Sequence, residues 1–382
     1  MTTPQLHGHC DEAFAPVRKL FETNLLNGSE VGASIVVNID GKTVLDLWGG
    51  YADSERTRPW TEDTIANVWS LSKTVTNLAA LILVDRGLLD LNEKVAKYWP
   101  EFGVNGKEGI EVRHILAHTS GVSGWEKPIV LSDIYDLEAS TARLAEQAPW
   151  WEPGTASGYH AQNQGHLVGE LVRRVTGKSL SQFIVEEISH PTNADFRLGA
   201  SESDLPRIAE IIPPDEPIPL DAIKAAVGED SIAYRTFTSP ISSPTAPNTP
   251  EWRAAELGAL NGHGNARSLN RILSSIALGN TPLLSQPTIS RIFEEQSNNT
   301  DLVLGIPVRF GNGFALPSPA GISFIPEGRV CFWGGWGGSV AIMDLDRRMT
   351  ITYVMNKMSP GTVGSERSEA YVRAVYGVVG GL

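Results

Sequence analysis

Strand-like segments occur near both ends of this 382-residue chain, whereas the sequence between them has mostly helical periodicity. Near the N-terminus, two apolar runs within residues 33–48 flank Asp40-Gly41, a dipeptide typical of short hairpin turns. Near the C-terminus, further apolar runs surround a turn signal at Asp346-Arg347, and the predicted strands there cover residues 321–326, 328–335, 338–345 and 349–356. This distribution indicates one sheet assembled from the two ends of the chain.

We therefore predict an α/β (α+β) fold, in which an antiparallel sheet built from both chain ends is flanked by helices and a mainly helical domain is inserted. The α/β domain is expected to comprise residues 1–88 and 305–382, and the insertion residues 89–304. Within the insertion, residues 200–250 contain nine prolines and no periodicity, yet aromatic and aliphatic residues continue through them. We expect a long ordered loop region with short helices there, in preference to a disordered linker. A cleft is expected where the two domains meet.

The composition argues against several classes of partner. The net charge is −13 and there is no dense run of Lys and Arg, so nucleic acids and anionic membranes are not expected partners. Two cysteines, Cys10 and Cys331, are too few for a disulfide framework, and no CxxC pair suggests a structural zinc. The N-terminus lacks a basic segment followed by an apolar one, and the longest strongly apolar run, residues 78–84, is too short to span a membrane. We expect a soluble cytoplasmic enzyme that acts on a small molecule, with its oligomeric state left open.

The pattern Ser70-x-x-Lys73 opens an apolar segment that predicts a helix over residues 70–86, closed by Gly87. Residues three apart share one face of a helix, so the Lys73 amine can reach the Ser70 hydroxyl. A lysine with the ordinary pKa of ~10.4 is protonated at neutral pH, but partial burial and the helix N-terminus both disfavour the ammonium form. Ser70 is therefore the candidate nucleophile and Lys73 its base. Ser72 is a rival by residue type, but it lacks a lysine three positions later.

Tyr159 follows the turn sequence WEPGT and precedes a second predicted helix over residues 164–175. Without further context it is a packing tyrosine. With an ordinary pKa near ~10, it could act as a base or proton shuttle only beside a cation such as Lys73. The neighbouring His160 is a base by chemistry and stays as an alternative.

Glycines interrupt a strand-like segment at residues 332–339, FWGGWGGS. Glycine weakens a strand unless another backbone or a ligand must approach closely. A strand edge without side chains can offer N–H groups to the carbonyl oxygen of a substrate. The alternative is a bulged corner of the sheet.

Taken in order, these motifs resemble those of the serine β-lactamase-like superfamily, which has the penicillin-recognising, β-lactamase/transpeptidase-like fold. Within it the chain is most similar to the family VIII carboxylesterases, with the related fungal acyltransferases and statin-type esterases nearby. The resemblance runs from about residue 30 to residue 358, and the matching segments are SLSK at 70–73, AHTSGVSGW at 117–125, WEPGT and YHA within 151–161, GHGNARS at 262–268 and FWGGWGGS at 332–339. It implies a serine hydrolase that forms an acyl-enzyme and needs neither a metal nor an organic cofactor.

The resemblance also assigns roles to individual residues. The nucleophile falls on Ser70, and the general base pair on Lys73 and Tyr159. The backbone N–H groups of Ser70 and Trp336 would form the oxyanion hole. The substrate would lie against a further set of residues, which comprises Trp333, Gly334, Gly335 and His160.

Two positions depart from the β-lactamase pattern. Trp333 occupies the place of the lysine in the Lys-Thr-Gly motif, which removes the anchor for a substrate carboxylate. Ala161 occupies the place of the asparagine in the Tyr-x-Asn motif, which removes an amide that holds amide-containing substrates. Both departures favour neutral esters, hydrolysed through acyl-Ser70, over penicillins.

Other functions stay open on the sequence alone. An acyltransferase of secondary metabolism would share all these residues, because the acceptor is chosen by the shape of the pocket. A β-lactamase or D-Ala-directed peptidase is disfavoured by Trp333, and a non-enzymatic scaffold by the intact Ser70, Lys73 and Tyr159 set. Residues 7–11 imitate the HxHxD zinc motif, but without a preceding strand or a further histidine they are expected to be a mobile polar tail.

Overall fold

An antiparallel sheet of nine strands lies at the centre of the protein. The structure is a computed structural model that describes residues 4–279 and 283–380. The strands are β1 (Leu6–Cys10), β2 (Gly32–Ile39), β3 (Lys42–Gly50), β4 (Ala66–Asn67), β5 (Arg197–Leu198), β6 (Gly262–Gly264), β7 (Ser297–Thr300), β8 (Pro307–Phe310), β9 (Ala315–Leu316), β10 (Val330–Gly334), β11 (Val340–Asp344) and β12 (Met349–Met355). The central sheet has the order β1-β3-β2-β12-β11-β10-β9-β8-β7, and a small second sheet has the order β4-β6-β5.

The two ends of the chain meet at the pairing of β2 with β12. This pairing runs in register from Met349 opposite Ile39 to Met355 opposite Ala33. The turn between β2 and β3 places Asp40 at φ 52° and Gly41 at φ 82°, the left-handed backbone that a two-residue hairpin requires. The predicted sheet of both termini and its hairpin are thus confirmed.

Helices cover both faces of the central sheet. They are α1 (Ala15–Asn27), α2 (Ser72–Asp85), α3 (Val95–Tyr98), α4 (Val112–Leu116), α5 (Leu137–Glu146), α6 (Gln164–Thr176), α7 (Leu180–Ile184), α8 (His190–Thr192), α9 (Leu220–Val227), α10 (Ile232–Phe237), α11 (Pro250–Ala254), α12 (Ala266–Leu278), α13 (Gln286–Ile292) and α14 (Glu366–Val379). Consecutive residues of β12 show the two faces: the Thr352 hydroxyl donates to the carbonyl of Ala266 in α12 at 2.8 Å, while Tyr353 packs on Tyr371 of α14. Because both faces are covered, β11 and β12 are buried along their whole length.

Helix α2, which follows the candidate nucleophile Ser70, is buried along most of its length. Every residue from Ser72 to Leu83 is buried, and the chain leaves the helix through Gly87 at φ 70°. One 3₁₀ turn, Trp69–Leu71, precedes the helix. The helix predicted over residues 70–86 is confirmed, with its first turn tighter than an α-helix.

Two local predictions are wrong. Residues 321–326 form turns instead of a strand, because the N–H groups of Gly321 and Ile322 both bond back to the carbonyl of Ser318. Residues 7–11 are not a mobile tail, since residues 6–10 form β1, which pairs with β3 along five residues. Strands β7, β8 and β9, at the opposite edge, were not predicted.

Residues 200–250 form an ordered loop region with short helices, including α9 and α10, as predicted. The domain boundaries stay a prediction. Helix α12 and strand β7 lie within the predicted insertion, yet α12 packs across β2, β11 and β12, and β7 is the edge strand of the central sheet. Within the described ranges, no helix is both long enough and apolar enough to cross a membrane.

Candidate active site

A cavity of about 630 Å³ opens beside the turn that precedes α2. Ser70, Tyr159 and Trp336 all line it, although they come from distant parts of the sequence. Lys73 lies one helical turn below Ser70. Four of the residues that the sequence singled out are therefore brought together at one cavity.

Ser70 is held by contacts of the residues before it. The N–H of Val68 donates to the carbonyl of Gly262 in β6 at 2.8 Å, and the carbonyl of Val68 accepts from the Ser339 hydroxyl at 3.1 Å. Trp69 has a φ of 51°, a left-handed conformation that is costly for a bulky side chain and is typical of functional sites. The 3₁₀ turn thus presents Ser70 to the cavity while the surrounding backbone stays fixed.

Lys73 is buried and its amine is surrounded by acceptors. Its Nζ lies 3.1 Å from Ser70 Oγ, and it donates to the carbonyls of Ala161 at 2.7 Å and Ala259 at 3.0 Å. Burial lowers the pKa of Lys73 well below its ordinary value. A neutral amine has two N–H bonds and one lone pair. With the two N–H bonds used by the carbonyls, the lone pair is free to accept the Ser70 proton.

Tyr159 is buried with its hydroxyl beside the nucleophile. Burial raises the pKa of Tyr159, an effect that hydrogen bonds with Ser70 and Trp333 oppose and the nearby Asp301 charge reinforces. The Trp333 indole N–H donates to the Tyr159 oxygen at 3.1 Å, and Lys73 Nζ lies 4.8 Å from the centre of the tyrosine ring. Tyr159 is therefore a neutral phenol at neutral pH.

The backbone of Tyr159 is held by a carboxylate that the sequence did not indicate. Oδ1 of the buried Asp301 accepts from the N–H of Tyr159 at 3.0 Å. The same oxygen accepts from the N–H groups of Val303 and Leu304, each at 2.9 Å. Val303 and Leu304 line the cavity, so one oxygen atom joins Tyr159 to the cavity wall.

His118 supports the other side of Tyr159. Its ring lies edge-on to the rings of Tyr159 and Phe310, each with centres 4.9 Å apart. Its Nδ1 accepts from the backbone N–H of His160 at 3.1 Å. Burial lowers the pKa of His118 well below its usual value, so the ring is neutral. His118 packs and orients this segment.

His160 points away from the cavity. Its Nε2 lies 2.6 Å from the Ser120 hydroxyl and its Nδ1 lies 2.7 Å from the carbonyl of Gly158. Burial lowers the pKa of His160 to about 4. Because it does not line the cavity, the geometry does not support the predicted contact of His160 with a substrate, nor its alternative role as a base.

The glycine-rich loop places one free N–H at the cavity. The N–H of Gly335 donates to the carbonyl of Ser339 at 2.8 Å, and that of Gly337 to the carbonyl of Gly361 at 3.0 Å. For the N–H of Trp336 between them, the described part of the chain supplies no acceptor. Trp336 also lines the cavity, which makes its N–H a candidate donor to a substrate oxygen.

The other residues of the glycine-rich segment that were predicted to contact the substrate lie outside the cavity lining. Trp333, Gly334 and Gly335 do not line the cavity, and the Trp333 indole is directed to Tyr159. A Cβ on Gly335 would collide with the carbonyl oxygen of Val68. Glycine is therefore required there, because the loop after β10 packs directly on the backbone that carries Ser70.

The walls of the cavity are apolar, and sequence reasoning missed most of them. None of the described residues that line it is charged. The residues from the proline-rich region are Pro214, Pro217, Ile218, Leu220, Ala222, Ile223, Ala226, Val227, Ala233, Phe237, Ile241, Ser242, Ser243 and Pro244. The apolar spacing of Leu220, Ile223 and Val227, which places them on one helix face, is the signal that could have identified part of this wall.

Comparison with known proteins identifies the family. The family model described as Beta-lactamase matches residues 17–376. This chain belongs to the beta-lactamase family. The resemblance found in its motifs is thereby confirmed, and so is the fold class.

Relatives of this beta-lactamase family member include named esterases. It is 31% identical over 365 residues to the esterase/beta-lactamase LipL of Mycobacterium tuberculosis, covering 93% of this chain and 83% of LipL. The crystal structure of a family VIII carboxylesterase is 35% identical with a TM-score of 0.90, covering 98% of this chain and all of that one. The structure of EstA from Arthrobacter nitroguajacolicus Rue61a is 32% identical with a TM-score of 0.85, covering 97% and 98%. The chain is a serine hydrolase of this family.

Proposed function

We propose that this protein is a carboxylesterase that hydrolyses neutral esters through an acyl-Ser70 intermediate, with Lys73 and Tyr159 as its proton-transfer pair. The observation that carries the proposal is the environment of the Lys73 amine. Two backbone carbonyls accept from it, and Ser70 Oγ, 3.1 Å away, is its third polar neighbour. This arrangement, together with the lowered pKa of Lys73, supports a neutral amine that takes the Ser70 proton during attack.

Tyr159 is assigned the second proton transfer. Because the raised pKa of Tyr159 keeps its hydroxyl protonated, it can donate to the departing alkoxide, while the Lys73 ammonium supplies the replacement proton. The Trp333 indole N–H stabilises the negative charge that develops on the tyrosine oxygen. Hydrolysis of the acyl-enzyme repeats these transfers in reverse, with water in place of the alcohol.

The backbone N–H groups of Ser70 and Trp336 are assigned to the oxyanion. Ser70 lies in the first turn before α2, where N–H groups have no partner within the helix. The free N–H of Trp336 comes from the loop after β10. In other enzymes, removal of one such donor costs about 2.7–4 kcal/mol of transition-state stabilisation.

The cavity supports neutral esters over penicillins. A substrate carboxylate needs a cation or several free polar groups, and no lining residue is charged. The names of relatives include both esterase and β-lactamase, so β-lactam hydrolysis is the second candidate. It is disfavoured here because Trp333 supplies no cation and its N–H is already used by Tyr159.

A fluorophosphonate label and a substrate panel test the proposal. The purified protein is expected to gain one adduct, on the peptide that contains Ser70, and to hydrolyse 4-nitrophenyl butyrate far faster than benzylpenicillin. Ser70→Ala should abolish both the adduct and the turnover. Ser72→Ala is the matched control, because the Ser72 hydroxyl is fixed by the backbone of Trp69 and Gly262. An adduct that survives Ser70→Ala, or penicillin turnover equal to that of the butyrate, would overturn the proposal.

A further inference from the structure

Helix α9 borders the cavity with one face. Five of its residues line the cavity: Leu220, Ala222, Ile223, Ala226 and Val227. None of its eight residues is buried. An amphipathic helix normally covers its apolar face by packing on the protein. Here the apolar face borders the open cavity, where a bound molecule would cover it.

The cavity walls next to α9 are also mostly apolar. Ile218 and Ile241 line the cavity and are 59% and 56% exposed, which is unusual for isoleucine. The one amide in the lining is used internally, since Gln162 donates to the carbonyl of Pro240 at 2.6 Å and accepts from Ser242 at 2.7 Å. Away from the catalytic end, the cavity therefore has little to offer a polar or charged ligand.

We propose that this cavity binds one long apolar arm of the ester, a chain of about eight carbons or more, against the inner face of α9. The inference rests on the proposed function and names its substrate class. Cavities of about 300–1,000 Å³ enclose ligands of drug size, and this one has about 630 Å³ continuous with Ser70. An acetyl or butyryl group would leave most of the apolar wall in contact with water.

Chain length is the variable that tests this substrate class. Burial of a methylene contributes ~0.8 kcal/mol, which corresponds to at most about a fourfold gain in kcat/KM for each added methylene. We expect kcat/KM for 4-nitrophenyl esters, measured below their aggregation limits, to rise at least a hundredfold from acetate to octanoate. A parallel series of alkyl acetates, from ethyl to decyl, distinguishes an alcohol arm from an acyl arm. If kcat/KM rises in the 4-nitrophenyl series, the acyl chain is the arm bound along α9. If it rises in the alkyl acetate series, the alcohol chain is.

Two adjacent alanines of α9 provide a matched pair of variants. Ala226 lines the cavity, whereas Ala225 does not. Both are exposed, so neither substitution should unfold the protein, which thermal melting checks. In whichever ester series shows the rise, Ala226→Asp should lower the ratio of kcat/KM for the longest ester to that for the shortest at least tenfold, because the carboxylate would lie against the chain. Ala225→Asp introduces the same charge on the same helix and should leave this ratio within twofold.

The outcomes separate this inference from the function on which it rests. If Ser70 is labelled and short esters are hydrolysed, but neither series rises with chain length, the substrate class is wrong and the esterase proposal stands. Equal effects of Ala225→Asp and Ala226→Asp would also overturn the proposed substrate class, since the added charge would then lower the ratio without contacting a bound chain. If Ser70 takes no label and no ester is hydrolysed, both proposals fail together.

Discussion

Asp301 holds the backbone of Tyr159, because its Oδ1 accepts a hydrogen bond from the Tyr159 N–H at 3.0 Å. Tyr159 lies in a segment without helix or strand, so hydrogen bonds of this kind determine where its hydroxyl lies. The same oxygen holds Val303 and Leu304 of the cavity wall. The position of the proposed proton donor and the shape of the cavity wall therefore depend on one side chain.

Substitutions of Asp301 should show whether this residue positions Tyr159 for catalysis or only stabilises the fold. Asp301→Ala leaves three N–H groups without their acceptor and is expected to lower kcat for an ester at least tenfold, with a lower Tm. Asp301→Asn keeps an acceptor oxygen in place and should restore most of kcat. Asn299→Ala is the control, since Oδ1 of Asn299 in β7 accepts from the hydroxyl of Ser157, two residues before Tyr159, at 3.1 Å. If Asn299→Ala lowers kcat as much as Asp301→Ala, the role of Asp301 is only structural.

Lys73→Arg tests whether a neutral amine is required. Arginine keeps the positive charge but does not deprotonate in proteins, so the variant should be nearly as inactive as Lys73→Ala, about a thousandfold or more below the native rate. Steady-state hydrolysis of 4-nitrophenyl butyrate measures the loss, and circular dichroism checks the fold. Activity within tenfold of the native enzyme would exclude Lys73 as the base.

The rate should depend on pH through Lys73 and not through histidine. In the proposed mechanism the active form has a neutral amine. We therefore expect kcat/KM to rise with pH through one apparent pKa well below the ~10.4 of an ordinary lysine, because burial lowers the pKa of Lys73. Burial also lowers the pKa of His160 to about 4, so this ring is neutral near neutral pH. His160→Ala should leave the profile in place, whatever its effect on the rate. A titration that disappears in His160→Ala would assign the base to histidine.

Trp333→Phe tests the indole N–H that contacts Tyr159. The substitution keeps an aromatic ring but removes the donor at 3.1 Å from the tyrosine oxygen. Loss of one hydrogen bond, worth about 0.5–1.5 kcal/mol, should lower kcat about two- to tenfold. The loss should be greatest for esters with poor leaving groups, which depend most on proton donation. An equal loss for 4-nitrophenyl and ethyl esters would indicate a packing role only.

The sequence predicted those parts of the fold that depend on local patterns. The turn at Asp40-Gly41 and the long run of helix α2 are encoded by neighbouring residues, and both are present. The predicted strand at residues 321–326 is wrong because its apolar residues are buried by tertiary packing of a turn, which has no periodicity. Strand β7, with the sequence SNNT, is polar and exposed, so no hydrophobic alternation could indicate it.

The candidate site was predictable where its chemistry lies within one motif. The spacing of Ser70 and Lys73 on one helix face led directly to the observed distance. Asp301 acts on Tyr159 across 142 positions of the sequence, and no local pattern reports such a contact. The family resemblance placed His160 against the substrate, but its ring nitrogens lie beside the Ser120 hydroxyl and the carbonyl of Gly158, contacts that the sequence does not show.

The pairing of β2 with β12 also determines when this protein can become active during synthesis. The hairpin of β2 and β3 leaves the ribosome long before β12, so one edge of β2 stays unpaired until Met349–Met355 have been translated. Such long-range pairing slows folding and leaves an edge that invites association with other chains. We expect nascent chains that stop before β10 to be inactive and to need chaperone protection, because they lack both the covering strand and the loop that carries Trp336.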